Sequence, residues 1–274
     1  MRLQRGFSLP PKEAIFTRIA VITGASSGLG AEFARRLARA EDVEELWLIA
    51  RRAERLEALA AEAGFADRMR LLALDLEQEQ SLQQYEQLLE ADQPEILWLV
   101  NAAGFAKMGS NAEIGRAALD RMLQLNCRAA MDMTQISLPF MARGSHILEI
   151  CSTAAFMPLG GLGVYAASKS FLLSYSRSLY YEVRTQGIVV TAVCPYWIKD
   201  TEFIPTARQA ANSKAVRHFP LASRARPVAA RALRDTRLGL PVSTPGPVCT
   251  LHRLVCKFIP RDLLMLAWAG IRRL

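Results

Sequence analysis

Through its first two hundred residues the chain alternates short, apolar, β-rich runs with amphipathic helical patterns. This alternation limits the possible folds more than any other feature. The runs predict strands at 18–24, 45–50, 69–76, 95–104, 145–152 and 187–195, and helical patterns fall at 28–40, 52–63, 77–91, 113–141 and 163–185. The strand runs are apolar throughout rather than alternating in polarity, which is typical of strands covered by helices on both faces. The sequence therefore predicts an α/β fold with a doubly wound parallel β-sheet and right-handed crossovers.

The length and composition predict one globular domain that spans residues 1–274. The chain has 274 residues, of which 51% are hydrophobic and 22% charged, a balance that allows a sizeable core. After about residue 200 the pattern loosens, and prolines separate short helical pieces, the clearest at 227–239. This region follows the strand ends where ligands bind in such folds, so we expect a substrate lid over about 200–240. A helical extension is expected over about 247–274.

Cysteine usage and the absence of long apolar runs predict a cytoplasmic protein. The five cysteines are odd in number and form no C-x-x-C pair, which indicates reduced thiols. The first sixteen residues have no uninterrupted apolar core of a signal peptide, and no run reaches the roughly eighteen apolar residues of a membrane span. The three histidines share no metal-ligand spacing, so no metal site is predicted.

The positive charge of the chain is concentrated at its C-terminal end. The net charge is +8, and residues 201–274 hold 13 Lys and Arg against 3 Asp and Glu. This quarter is either a solvated face or a region that attracts an anionic ligand, an acyl carrier protein or a membrane surface. Residues 263–271 are uncharged and too short to span a bilayer. They form a buried helix, a subunit contact or an interfacial membrane helix. Nucleic-acid binding is not expected.

A glycine-rich loop at a strand-to-helix junction predicts a dinucleotide site. Residues 23–30 read TGASSGLG. Gly24 permits a tight turn, Gly28 lets a pyrophosphate approach the backbone, and Gly30 allows close helix packing, while the helix N-terminus offers free N–H groups. The residues expected to contact the cofactor here are Gly24, Ser26, Ser27, Gly28, Leu29 and Gly30.

Two arginines after the second predicted strand indicate which cofactor is bound. An NAD enzyme usually has an acid at this point for the ribose 2′-hydroxyl, whereas this chain has Ala50 followed by Arg51 and Arg52. A guanidinium can bind a 2′-phosphate with two hydrogen bonds. The pair therefore favours NADP(H) over NAD, the alternative being ordinary surface charge at a helix start.

The segment VYAASKS (164–170) sets Tyr165 and Lys169 one helical turn apart. Together with the 23–30 loop, Asn126 in LNC, and Ser152 thirteen residues before the tyrosine, this pattern resembles the classical short-chain dehydrogenase/reductase family over about residues 15–200. The resemblance implies a Rossmann fold. It also implies further cofactor contacts from Asp75 and Leu76 in LDL, from Asn101, Ala102 and Ala103 in NAAG, and from Tyr165, Lys169, Pro195, Ile198 and Thr201.

The resemblance also implies the chemistry, which is interconversion of a secondary alcohol and a ketone with NADP(H). Tyr165 is the expected acid and base. Its pKa, ordinarily near 10, would be lowered by Lys169 and by the positive nicotinamide. Ser152 would hold the substrate oxygen, Lys169 the nicotinamide ribose, and Asn126 a water that links Lys169 to solvent. The family further implies a homodimer or homotetramer built on the helices at 113–141 and 163–185. The alternative function is an NADP(H)-binding sensor without turnover.

The loop after the sixth predicted strand departs from the family pattern. The sequence PYWIKDT (195–201) has Tyr196 where the family has Gly, and one extra residue precedes Thr201. Ile198 keeps its matching position. Tyr196 and Trp197 either narrow the substrate mouth or pack against the lid. Together with the aromatic and apolar residues at 203–204 and the apolar tail, they indicate a lipophilic substrate, steroid-like or of the 3-oxoacyl type.

Overall fold

The computed structural model describes residues 16–208 and 221–271. In them, seven parallel strands form one sheet in the order β3-β2-β1-β4-β5-β6-β7. The strands are β1 Arg18–Thr23, β2 Glu45–Ala50, β3 Met69–Ala73, β4 Glu95–Asn101, β5 His146–Ile150, β6 Val189–Val193 and β7 Val242–Ser243. The predicted doubly wound parallel sheet is thereby confirmed. The short β7 was missed because only two residues of a proline-rich stretch pair with β6.

Ten α-helices accompany the sheet in the same described residues. They are α1 Gly28–Leu37, α2 Ala53–Ala63, α3 Glu79–Asp92, α4 Arg116–Leu123, α5 Ala130–Ser137, α6 Gly163–Val183, α7 Phe203–Ala207, α8 Ala225–Arg237, α9 Pro247–Phe258 and α10 Arg261–Ile271. A π-helical turn, Gln124–Ala129, joins α4 to α5 and divides the helix predicted over 113–141. Across the described ranges, no helix is both long enough and apolar enough to cross a bilayer.

The strands β1, β2 and β4 bury both of their faces, which explains their unbroken apolar runs. In β1, Ala20 and Ile22 pack on one side against α1, α2 and α8, while Ile19 and Val21 pack on the other against α3, α5 and α6. Adjacent side chains along a strand point to opposite faces, so a sheet with two helical layers needs apolar residues at both. The core consequently lies on both sides of β1 and β4.

The C-terminal part of the predicted lid is a core helix instead. In α8, Ala229, Ala232 and Leu233 are buried in the cluster that contains α1. The prediction of a lid over 200–240 is therefore wrong for Ala225–Arg237, because its amphipathic face packs on the sheet layer. The described part of the predicted lid before residue 209 contains α7. A parallel backbone bridge pairs Ile198, which precedes α7, with Ser223, which precedes α8.

The topology fixes the position of the site. The strand order reverses between β1 and β4, whose last residues Thr23 and Asn101 are register partners. In doubly wound sheets a crevice opens at the carboxyl ends of the strands on either side of such a reversal. The glycine loop follows β1 and the NAAG segment follows β4, so both lie at this crevice.

Candidate active site

A central cavity of about 790 Å³ opens at the carboxyl ends of the strands. It is lined by Ser152 and by most of the residues that the sequence assigned to a cofactor. Those residues are Gly24, Ser26, Ser27, Gly28, Leu29, Gly30, Arg51, Arg52, Asp75, Leu76, Ala102, Ala103, Tyr165, Lys169, Pro195, Ile198 and Thr201. The residues 1–15, 209–220 and 272–274 lie outside this description.

The glycine loop (residues 24–30) is packed so tightly that side chains are excluded at two positions. Gly24 has φ of +65°, and a Cβ on it would lie 2.8 Å from the Ala103 backbone nitrogen. A Cβ on Gly30 would lie 2.3 Å from the carbonyl oxygen of Gly24. Helix α1 begins at Gly28, and its N-cap Ser27 makes no side-chain cap hydrogen bond. The loop thus presents the N-terminal N–H groups of α1 to the cavity, an arrangement that suits a phosphate.

The two predicted phosphate-binding arginines differ in their surroundings. Arg52 lies against the glycine loop, where its Nη2 donates to the hydroxyls of Ser26 and Ser27, each at 3.2 Å. Its Nη1 donates to the Glu202 carboxylate at 3.1 Å. Arg51 instead pairs with Glu77 at 3.4 Å. Of the two, Arg52 has the geometry of a 2′-phosphate ligand.

The loop after β6 keeps its contact with the glycine loop despite its extra residue. The Thr201 hydroxyl donates to the Ile198 carbonyl at 3.2 Å. The Thr201 side chain lies 3.5 Å from the position that a Cβ on Gly28 would take. Tyr196 and Trp197 both line the cavity. The role of Thr201 toward a nicotinamide stays a prediction.

Ser152, Tyr165 and Lys169 converge on one wall of the central cavity. Ser152 follows β5 and caps a short helical turn by accepting from the Ala154 N–H at 3.1 Å. Tyr165 and Lys169 project from the first turns of α6, and the Lys169 Nζ lies 5.9 Å from the Tyr165 ring centroid. The Nζ donates to the Ile150 carbonyl at 2.7 Å. A hydroxyl, a phenol and a cation are thereby assembled on one wall of the cavity.

A comparison with known protein families decides what this arrangement is. The family model described as short chain dehydrogenase matches residues 18–212. The chain belongs to the short-chain dehydrogenase family. It is 33% identical over 189 residues to sulfoacetaldehyde reductase 2 of Chromohalobacter salexigens, covering 68% of this chain and 74% of that protein. It is 30% identical over 188 residues to the very-long-chain 3-oxoacyl-CoA reductase of Anas platyrhynchos, covering 65% and 59%.

The similarity to a solved structure extends over nearly the whole of this chain. The short-chain dehydrogenase from Sphingobium yanoikuyae in complex with NADPH is 29% identical and superposes with a TM-score of 0.74. The match covers 93% of this chain and 95% of that one. The family and the Rossmann fold that the sequence indicated are thereby confirmed. The protein is an oxidoreductase of this family.

Asn126 lies behind the cavity wall of this short-chain dehydrogenase rather than on it. It is fully buried in the π-helical turn. Its Oδ1 accepts from the Phe105 N–H at 3.0 Å, and its Nδ2 donates to the Phe105 carbonyl at 2.9 Å and to the Ser168 hydroxyl at 3.1 Å. Gly104 permits the approach, since a Cβ there would lie 2.9 Å from Oδ1. The side chain positions the strand-end loop, and its part in a proton relay stays a prediction.

Burial shifts the pKa values of Tyr165 and Lys169 in opposite directions. It raises the pKa of Tyr165 well above its usual value, and a hydrogen bond with Ser152 opposes the shift. Burial lowers the pKa of Lys169. The prediction that Lys169 and the positive nicotinamide lower the pKa of Tyr165 concerns the complex with the cofactor, and it stays a prediction.

The side chain of Asn101 does not line the cavity, so the predicted cofactor contact of this residue would have to come from its main chain. Its Nδ2 donates to the Thr134 hydroxyl and to Glu149 Oε1, both at 2.8 Å, so its side chain points away from the cavity. Glu149 is fully buried, and burial raises its pKa to about 7, while the hydrogen bonds from Asn101 and Thr134 oppose the shift. Asn101 therefore ties β4 to β5 and α5.

The sequence predicted an apolar substrate side from residues 203–204 and the C-terminal tail, but it did not show which side chains form the apolar wall of the cavity. Part of it comes from the segment between β5 and α6 and from α7, and the rest comes from α9 and α10. The lining residues are Met157, Leu159, Leu162, Phe203, Thr206, Val248, Leu251, His252, Val255, Leu264, Ala267 and Trp268. The Trp268 Nε1 donates to the Gly160 carbonyl at 2.9 Å and fixes α10 to the site. The apolar run at 263–271 was the available signal, but it did not reveal which surface the helix faces.

Metal ligation has no geometric support in the described ranges. Among residues 16–208 and 221–271, no group of three or more His, Cys, Asp and Glu is placed to hold a metal ion.

Proposed function

We propose that the protein is an NADP(H)-dependent oxidoreductase that interconverts a secondary alcohol and a ketone, with Tyr165 as general acid and base. The convergence of Ser152, Tyr165 and Lys169 on a cavity that also contains the glycine loop carries this proposal. The glycine loop and Arg52 suit a phosphorylated dinucleotide, because side chains are excluded at Gly24 and Gly30 and a guanidinium stands beside two hydroxyls.

Each catalytic side chain has a separate task in this proposal. Bound NADP(H) supplies or accepts the hydride. The Ser152 hydroxyl donates a hydrogen bond to the substrate oxygen and so orients it toward Tyr165. In reduction, the Tyr165 hydroxyl gives its proton to that oxygen as negative charge develops there. The Lys169 cation and the Ser152 hydroxyl then stabilise the phenolate.

The cavity favours a lipophilic substrate. Its substrate side is walled by leucine, methionine and aromatic side chains from α7, α9 and α10. A 3-oxoacyl or steroid-like ketone has an apolar body and a reducible keto group, which suits an apolar wall with one polar corner. The likeness to a very-long-chain 3-oxoacyl-CoA reductase supports the 3-oxoacyl class.

The proposed assembly is a homodimer or homotetramer in the cytoplasm. The described parts of α4 and α6 expose Leu123, Phe171 and Tyr181, apolar side chains that a second copy would cover. All five cysteines are free thiols, which supports a reducing compartment.

Substitution of Arg52 tests the preference for NADP(H). We expect Arg52→Gln to weaken NADPH binding at least about tenfold and to leave NADH binding within about twofold, because the substitution removes one charge-assisted contact to the 2′-phosphate alone. Titration of the intrinsic fluorescence of NADPH and NADH measures both dissociation constants. Arg51→Gln is the matched control and should change both constants little, since Arg51 is paired with Glu77. Equal weakening of NADPH and NADH by Arg52→Gln would contradict the preference.

Oxidation of NADPH in the presence of a panel of ketones tests the reaction itself. The panel contrasts 3-oxoacyl thioesters and steroid ketones with short polar ketones, and the lipophilic members should react fastest. Tight binding of NADPH without oxidation by any ketone would favour the alternative function, a nucleotide-binding sensor.

A further inference from the structure

The surface of α9 and α10 holds more exposed apolar side chains than the rest of the described chain. Thirteen large apolar side chains are exposed in the described residues, and seven of them lie on this helix pair or, for Ile259, in the turn between the two helices. The seven are Leu251, Leu254, Phe258, Ile259, Leu263, Met265 and Leu266. Phe258 is 74% exposed and Leu266 70% exposed. Removing such side chains from water is favourable, so this surface tends to associate with an apolar partner.

Basic side chains accompany the apolar ones. The charged residues between 247 and 271 are Arg253, Lys257, Arg261 and Asp262, three positive and one negative. On α9, Arg253 and Lys257 are one turn apart and lie beside the stripe of Leu251, Leu254 and Phe258. Apolar side chains flanked by Lys and Arg are typical of helices that lie in the interface of an anionic membrane.

The same helices also form a wall of the central cavity. Val248 and Val255 of α9 and Leu264 and Trp268 of α10 line it from inside. Leu251 both lines the cavity and is 64% exposed outside, so the apolar surface is continuous with the cavity. A lipophilic substrate dissolved in a bilayer would reach the cavity along this surface without crossing water.

We propose that α9 and α10 dock the protein on an anionic membrane surface and that the substrate enters the cavity from it. Entry of the substrate from the membrane rests on the proposed function. Docking itself depends only on the exposed apolar and basic side chains of α9 and α10. A second copy of the chain is a weaker partner for this surface. A twofold contact would gather the basic side chains Arg253, Lys257 and Arg261 of both copies around one apolar interface, with only Asp262 of each copy to offset them, and like charges oppose this.

Binding to vesicles tests the docking. We expect the purified protein to float with vesicles of phosphatidylcholine containing about 30% phosphatidylglycerol, and much less with phosphatidylcholine alone. The variant Leu254→Gln/Phe258→Gln/Leu266→Gln removes three exposed side chains that do not line the cavity, and its bound fraction should fall at least about tenfold. The matched control is Leu238→Gln/Leu240→Gln, two exposed leucines elsewhere, which should bind as wild type does.

Two results would overturn the docking proposal. One is equal flotation of the wild type and the triple variant with anionic vesicles, or flotation of neither. The other is a triple variant whose mass in light scattering falls to half that of wild type, which would assign the surface to a second copy. Unfolding of the triple variant is checked by its NADPH binding. A variant that loses vesicle binding but oxidises NADPH with a water-soluble ketone at the wild-type rate supports the proposal.

An independent observation concerns Glu202, which precedes α7. Its two carboxylate oxygens accept from Arg52 and Arg55, and these ion pairs lower the pKa of Glu202, Arg55 more than Arg52. Arg52 is the proposed ligand of the 2′-phosphate. A carboxylate and a phosphate use the same guanidinium donors, so the two compete for Arg52.

We infer that Glu202 is an internal competitor of the 2′-phosphate and couples nucleotide binding to the substrate side. This inference rests on the proposed preference for NADP(H). Glu202 stands between Thr201, which lines the cavity, and Phe203, whose ring centroid lies 5.6 Å from that of Tyr165. Exchange of Glu202 for a 2′-phosphate at Arg52 therefore frees one carboxylate oxygen of Glu202 beside the start of α7, while Arg55 keeps the other.

Binding of nucleotide fragments tests the competition without turnover. We expect Glu202→Gln to lower the dissociation constant for 2′,5′-ADP about fivefold and to leave that for 5′-AMP unchanged, as measured by calorimetry. A factor of about five corresponds to the loss of one exposed ion pair that competes with the phosphate. Glu62→Gln, which removes a comparable exposed pair with Arg35, is the control and should change neither. Unchanged or weaker 2′,5′-ADP binding by Glu202→Gln would overturn the competition. Wild-type protein that binds 2′,5′-ADP no better than 5′-AMP would instead refute the NADP(H) preference.

Discussion

Tyr165→Phe is expected to lower kcat for ketone reduction by about three orders of magnitude, while the dissociation constant for NADPH changes less than about threefold. The substitution removes one oxygen atom and leaves a ring that fits the same buried space beside Phe203. The missing oxygen carries the proton that the substrate needs. Stopped-flow measurement of NADPH oxidation in a single turnover reports this step directly.

Two companion measurements separate a chemical role of Tyr165 from a structural one. The first is Tyr181→Phe, which changes an exposed tyrosine of the same helix and should leave kcat unchanged. The second is the melting temperature, which should stay within a few degrees for both variants. Full activity of Tyr165→Phe would refute the mechanism, and loss of NADPH binding together with activity would assign Tyr165 to the cofactor instead.

The sequence predicted those features that depend on residues close together in the chain. The strands follow from apolar runs, and β2 was predicted residue for residue at Glu45–Ala50. The spacing of Tyr165 and Lys169 is local to one helix, and the glycine loop is local to one turn. The close helix packing predicted at Gly30 is supported, because a Cβ there would lie 2.3 Å from the Gly24 carbonyl oxygen.

Features that depend on distant contacts were missed. The side chain of Asn101 turns away from the cavity because Thr134 and Glu149, which are 33 and 48 residues away, offer it hydrogen bonds. Helix α8 joins the core because it packs on α1. The raised pKa of Tyr165 follows from burial, which no sequence pattern reports. The apolar wall from α9 and α10 likewise depends on where the end of the chain folds back.

A second large effect is expected from Gly30→Ala, because the new Cβ would meet only backbone. It would lie 2.3 Å from the Gly24 oxygen, 2.7 Å from the Gly24 carbonyl carbon and 3.1 Å from the Ala25 nitrogen. None of these atoms can rotate away, so α1 must shift from the loop. We expect a loss of about 3 kcal/mol of unfolding free energy, seen as a melting temperature lower by about 6–12 °C.

Gly30→Ala should weaken NADPH binding more strongly than it lowers the free energy of unfolding. The shift of α1 moves its N-terminal N–H groups away from the pyrophosphate, so we expect NADPH to raise the melting temperature of wild type but not of the variant. Gly270→Ala is the matched control: Gly270 is also helical, but a Cβ there meets nothing within 4 Å. Its stability should stay unchanged or rise by up to about 1 kcal/mol, as is usual for Gly→Ala in a helix. If Gly30→Ala melted and bound NADPH as Gly270→Ala does, the glycine loop could not have the close packing that brings a pyrophosphate to the start of α1.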